Sequence, residues 1–308
     1  NVTATIYYDG VVTRPETDPS KTGYTFAGWF IGETAYDFDT LVTGNVTLTA
    51  KWTINTYTVT FNANGGSAVE SATVDYNTAV TEPSAPTKTG YTFAGWFIGT
   101  EEYDFDTLVT EDIELTAKWD INGYVVTFNS NGGSAVESIG ANYDTTISEP
   151  SVPTKSGYTF GGWYKESACE NAWVFASDVV TGNTTLYAKW NVVTYTITYN
   201  AGGGEITANT NTNTYTVEDD DIELVAPTAS KTGYTFAGWD IEVIDTARAE
   251  NITVTATWTA NEFTATFDSN GGSAVESETI YYDGVVTRPE TDPSKTGYTF
   301  AGWYIGET

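Results

Sequence analysis

The chain has 308 residues and a formal net charge of −29, from 41 Asp and Glu against 12 Lys and Arg, with no His, no Met and a single Cys. One thiol closes no internal disulfide and builds no Cys-rich metal site, and without His the usual general base and a common metal ligand are missing. The charge disfavours nucleic acid and anionic lipid, while 15% aromatic and 40% hydrophobic residues set the chain apart from disordered acidic sequences.

Self-similarity organises what remains. Gly-Tyr-Thr-Phe begins at Gly23, Gly90, Gly157, Gly233 and Gly297, at intervals of 67, 67, 76 and 64 residues. Each copy continues to a Gly-Trp pair ending in Trp29, Trp96, Trp163, Trp239 or Trp303. The first four copies close on a second Trp: Trp52, Trp119, Trp190 and Trp258. These nine and Trp173 account for all ten Trp residues, so the nine are assigned to the structural core. The pattern predicts a partial repeat over 1–52 lacking its first strand, repeats over 53–119 and 120–190, a divergent repeat with a longer hairpin over 191–258, and a partial repeat over 259–308 lacking its closing half.

Within the second repeat, Tyr57-Thr-Val-Thr-Phe61 alternates and reads as a half-buried strand. Asn64-Gly65-Gly66 is a hairpin signal, because both residue types tolerate positive φ. Ser71–Val80 reads as the returning strand, and Pro83 and Pro86 then carry the chain across in an extended path. Tyr91–Ile98 forms the aromatic strand, Asp104–Thr110 a short connection with room for one helical turn, and Ile113–Trp119 the closing strand. Ile113, Leu115, Ala117 and Trp119 share one face of it, and Glu114, Thr116 and Lys118 the other, so the sheet is expected to be wet on one side.

Four residues always separate a closing Trp from the next opening aromatic: 53–56, 120–123, 191–194 and 259–262. None includes Pro, which suggests strands running on from repeat to repeat and an elongated rod. Residues 6–34 and 280–308 differ only at Phe30 against Tyr304, which suggests a duplicated block of 274 residues and a longer parent chain.

Gly90-Tyr-Thr-Phe-Ala-Gly-Trp-Phe97, followed by Tyr103-Asp-Phe-Asp-Thr107 and Leu115-Thr-Ala-Lys-Trp119, resembles the Listeria–Bacteroides repeat, the B-repeat type of internalin-like surface proteins. Tyr57-Thr-Val-Thr-Phe-Asn62 and Gly65-Gly66 match the same pattern, and the resemblance covers essentially the whole chain. It implies a mainly β fold with very little helix, built of tandem β-grasp-like small domains, and a place in the stalk of an exported, envelope-attached protein. The fourth repeat departs from it: Asp240–Glu250 replaces the Asp-Phe-Asp-Thr segment, and Ala256-Thr-Trp258 lacks the Lys.

No acid, base and nucleophile can be assembled into a catalytic set, so no enzyme activity and no cofactor are expected. Oxygen-rich candidates for Ca2+ are Asp37 with Asp39, Asp104 with Asp106, and the run Glu218, Asp219, Asp220, Asp221, although no EF-hand pattern is present. Sequons begin at Asn1, Asn45, Asn183 and Asn251, of which the last three open a closing strand and are candidate glycosylation sites that equally suit a tight turn. Trp173, Tyr36 and Tyr103 fall outside the main aromatic pattern and are candidate glycan-stacking residues. Lys51, Lys118 and Lys189 alternate with core positions and should point to solvent, which disfavours an isopeptide crosslink. The expected partners are other copies of the repeat, neighbouring chains in a filament, or glycans and surface proteins, with no nucleic acid and no membrane span in this segment.

Overall fold

The computed structural model describes residues 3–306, and nearly all of their regular structure is β-strand. The chain divides into two compact units: Asn1–Thr127 with Ser138–Glu149 and Val174–Thr184, and Phe128–Glu137 with Pro150–Trp173 and Thr185–Thr308. The division passes through the third repeat. Among the described residues no helix is long and apolar enough to cross a membrane, which says nothing of crossing by strands.

In the first unit, β1 (Tyr24–Ile31), β2 (Thr34–Ala35) and β3 (Thr49–Ile54) form a sheet ordered β2-β1-β3. The second repeat contributes β4 (Thr56–Asn62), β5 (Ala72–Asp75), β6 (Thr78–Ala79), β7 (Tyr91–Ile98), β8 (Glu101–Glu102), β9 (Leu108–Val109) and β10 (Ile113–Ile121). Its main sheet is ordered β5-β4-β10-β7-β8, with β6 and β9 paired separately. The opening strand β4 lies parallel to the closing strand β10, which is antiparallel to β7 on its other side. The hairpin of β11 (Gly123–Asn129) and β12 (Ile139–Asn142) follows directly.

Alternation decides which side of this sheet is dry. Val59, Phe61, Leu115 and Ala117 are buried with Trp96, Val80 and Val109, whereas Thr58, Thr60 and Glu114 are exposed. Phe93 and Trp96 are three residues apart, a spacing that would put them on opposite faces of a regular strand. A bulge opposite Lys118 and Trp119 corrects this, and Gly95 supplies its φ of +125°. Both rings therefore reach the core, with centroids 5.5 Å apart.

In the second unit, β13 (Tyr158–Tyr164) pairs with β14 (Thr184–Val192), with Phe160 opposite Trp190 and Trp163 opposite Ala188. The fourth repeat holds β15 (Tyr195–Asn200), β16 (Glu205–Ala208), β17 (Thr214–Tyr215), β18 (Ile222–Glu223), β19 (Thr228–Ser230), β20 (Tyr234–Trp239), β21 (Val243–Ile244), a 3-10 turn at Thr246–Arg248, and β22 (Ile252–Ala260). Its sheet is ordered β17-β15-β22-β20, with β15 again parallel to the closing strand β22. The last repeat contributes the hairpin of β23 (Glu262–Ala265) and β24 (Glu278–Tyr281).

Two elements differ from expectation. The returning strand Ser71–Val80 is broken into β5 and β6 by a turn at Tyr76 and Asn77, where Asn77 takes a φ of +61°. The connection after Asp104 is a turn closed by Thr107 N–H on Asp104 O, without a helix.

Candidate functional site

Each hairpin turn is fastened to its own repeat by the recurring residues. In the second repeat, Trp119 Nε1 donates to Ala63 O at 3.1 Å, Lys88 Nζ to Asn64 O at 3.1 Å and Asn64 Nδ2 to Ala117 O at 3.1 Å. The same three donors recur as Trp190 on Ser130 O, Lys155 on Asn131 O and Asn131 on Ala188 O. Gly66 admits the Trp119 ring, since a Cβ there would meet it at 2.5 Å. Lys88 also lies 4.7 Å from the Tyr91 ring centre, as Lys155 lies 4.3 Å from that of Tyr158. The lysine two residues before each of these Gly-Tyr pairs thus acts as a staple.

The second recurring construction joins one repeat to the next. Only Asn122 separates β10 from β11, and its N–H donates to Gly90 O at 2.9 Å while its O accepts from Tyr143 N–H at 2.8 Å. Its side chain also takes part, as Thr92 Oγ1 donates to Asn122 Oδ1 at 2.7 Å. Tyr143 packs so closely over Gly90 that a Cβ would sit 2.0 Å from its ring, and Gly90 has a φ of +79°. Tyr76 covers Gly23 with Asn55 between them, and Tyr282 covers Gly233 with Asn261 between them, through the same two backbone bonds and the same Thr-to-Asn bond. Three joints are therefore built alike, from the Asn that follows a closing strand, the Gly-Tyr-Thr turn behind it and the Tyr of the following repeat.

The remaining joint differs. Val193 stands in the Asn position and Val217 over Gly157, with Val193 N–H still on Gly157 O at 2.8 Å. Here Tyr158 Oη donates to Glu218 Oε1 at 2.9 Å, a bond that raises the phenol pKa above its ordinary value, ahead of smaller contributions from desolvation and from the Glu218 charge.

Among the nine framework Trp residues, Trp96, Trp163 and Trp239 are buried, and Trp29, Trp52, Trp119, Trp190, Trp258 and Trp303 are half-buried. Trp173 is only 9% exposed, and its N–H donates to Trp163 O as Tyr103 N–H does to Trp96 O. Tyr36 occupies the same place relative to Trp29. Tyr103 packs against the second repeat's core with its hydroxyl buried, and desolvation, then the neighbouring Asp104, pushes its pKa up. The three aromatics considered for glycan stacking thus point inward.

Four of the carboxylates considered for Ca2+ serve the backbone. Asp37 and Asp104 accept from the N–H groups of Asp39 and Asp106, closing their own turns. Asp219 accepts from Thr216, and Asp221 from the N–H of the buried Thr246. Among the described residues no three acidic or Cys side chains are placed to hold a metal ion.

The sequon asparagines do structural work as well. Asn183 Oδ1 accepts from Val125 N–H at 2.9 Å, and Asn251 Oδ1 from Thr196 N–H at 2.8 Å. In the second repeat Asp112 Oδ1 accepts from Thr58 N–H at 2.7 Å. The position needs an acceptor oxygen that ties the start of the closing strand to the opening strand. Asn45 holds the matching place in the first repeat, and Asn1 lies outside the described residues. Asn183→Asp is therefore expected to leave stability unchanged, and Asn183→Ala to cost about 1 kcal/mol in denaturant titration. Equal losses in both variants would contradict the acceptor role.

The model of the Listeria-Bacteroides repeat domain matches residues 1–51, 57–118, 124–189, 195–258 and 263–308. The chain belongs to this family. Listeria-Bacteroides repeats account for the Gly-Tyr-Thr-Phe and Gly-Trp motifs that recur in all five copies. The chain is similar to a "Putative Gly-rich membrane protein" of Evansella cellulosilytica, 38% identical over 326 residues covering 99% of this chain and 37% of that protein. It is also similar to a "Putative membrane protein" of the same organism, 41% identical over 80% of this chain and 40% of that protein. Internalin H of Listeria monocytogenes is 38% identical over 52% of this chain and 31% of its own length. The chain thus spans well under half of each of these relatives.

Proposed function

We propose that this array of Listeria-Bacteroides repeats is a non-enzymatic spacer in an extracellular, cell-surface-attached protein, holding other parts of that protein away from the envelope. The observation that carries this reading is the recurring joint, in which Asn and Tyr bond one repeat to the next at three of four linkers with a single residue between strands. A net charge of −29 suits an exposed surface that must stay soluble, and the names of the Listeria and Evansella relatives support a surface or membrane-associated setting. The folding units are proposed at 53–119, 120–190 and 191–258, flanked by partial repeats over 1–52 and 259–308.

Two sheet edges favour a spacer over a filament subunit, although β13 and β20 are outer strands of seven and six residues. The outer strands β2 and β8 are two residues long, and β8 is Glu101–Glu102, a length and charge that discourage pairing with another chain. Negative-stain electron microscopy of the purified chain over a range of concentrations tests the proposal. Separate, elongated particles at every concentration are the expected result. Fibres of regular width that grow with concentration would make the repeats an assembly and overturn the spacer reading.

A further inference from the structure

We propose that the four joints follow a two-residue rule and that the joint between the third and fourth repeats is the compliant point of the array. The socket is the Gly-Tyr-Thr turn of one repeat, and its partner is the next repeat, which presents one residue from the linker and one from the end of its second strand. Where these are Asn and Tyr, the socket is filled by a ring and the linker is held on both sides. At Asn122 the bonds are to Gly90 O, from Tyr143 N–H and from Thr92 Oγ1, and at Asn55 and Asn261 the same three recur. Across two of these joints the tyrosines also meet, Tyr91 with Tyr143 at 6.4 Å and Tyr234 with Tyr282 at 5.7 Å.

The third joint loses most of this. Val193 has no side-chain acceptor for Thr159, whose hydroxyl donates instead to Asn191 O at 3.3 Å. Among the described residues no backbone bond runs from Val217 N–H to Val193 O, the rung that Tyr76, Tyr143 and Tyr282 supply elsewhere. Val217 covers Gly157 with a smaller side chain, its methyl carbons 2.4 Å from where a Cβ would lie. The added Tyr158–Glu218 bond is between exposed groups that water solvates equally well. The cause lies in the sequence: the interval from Gly157 to Gly233 is 76 residues rather than 67, and the longer hairpin carries Val217 and Glu218 into the place of the Tyr. Besides the exposed Tyr158–Glu218 bond, one joint of four is thereby left with a single backbone bond and an aliphatic contact.

Amide hydrogen exchange on the whole chain tests this directly, because Asn55, Asn122, Val193 and Asn261 donate the same bond to the same Gly carbonyl. Corrected for intrinsic rates, protection at Val193 is expected to be at least tenfold below that at the other three. Equal protection at all four positions overturns the proposal and needs no variant. The pair Asn122→Val and Tyr143→Val is expected to lower protection of the amide at position 122 at least tenfold while leaving the buried Val59 and Leu115 amides protected. Unchanged exchange at 122 would likewise overturn it. This readout is the same whether or not the array serves as a spacer, so its failure and that of the spacer reading are distinguishable.

Discussion

Trp96→Ala is expected to unfold the second repeat and to leave the fourth intact. Trp96 is 1% exposed, lies 5.0 Å from Phe61 and 5.5 Å from Phe93, and faces Ala117 across the sheet. Removing a buried Trp costs about 3–5 kcal/mol, and a domain of this size has a total stability of roughly 3–10 kcal/mol. The one Cys of the chain, Cys169, lies outside this repeat, so no internal disulfide offsets the loss. In a tandem array the effect should fade with distance, since each repeat contacts its neighbours. Limited proteolysis should therefore cut within 57–119 and spare 195–258. Trp119→Phe is the comparison: it keeps most of the ring but gives up the bond to Ala63 O, at a cost of about 1 kcal/mol. Equal sensitivity to both substitutions would contradict the assignment of Trp96 to the core and of Trp119 to the turn.

Gly90→Ala is expected to break a joint without unfolding either neighbour. The left-handed conformation of Gly90 costs an L residue about 1–2 kcal/mol, and displacing the Tyr143 ring costs roughly another 1–3 kcal/mol. Tyr143 is half-buried and stands apart from the core around Trp96 and Val59, so the loss is expected to fall on the joint. The sign that separates this from general destabilisation is local: the amides of Asn122 and Tyr143 should exchange faster, and those of Val59 and Leu115 should not. A drop in protection across the whole second repeat would show that Gly90 matters to the repeat rather than to the joint.

Much of each repeat was legible in the sequence because its strands obey local rules. Tyr91–Ile98 matches β7 at both ends, since its alternation is bounded by Gly90 and Gly99, and the closing strand is found with two extra residues. What was not legible depends on partners far along the chain. Ser71–Val80 looks continuous, but its break at Asn77 lets Tyr76 reach back to Gly23 while β6 pairs with β9. The constant four-residue linker signalled stiffness but not its cause, because Asn122 and Tyr143 look ordinary until Gly90 is placed between them. For the sequons the sequence itself carries a signal. Asp112 aligns with Asn45, Asn183 and Asn251, and a position that accepts Asp in one copy wants an oxygen acceptor, whatever else it carries.

The central claim is that Asn and Tyr hold successive repeats in one fixed arrangement. Its most direct test is a spin-label distance measurement across the second joint, made in a Cys169→Ser background with Thr73→Cys and Thr146→Cys, two exposed positions on either side of Asn122. A single narrow distance distribution is expected, broadening when Gly90→Ala is added. A broad distribution in the joint with Gly90 intact would contradict it.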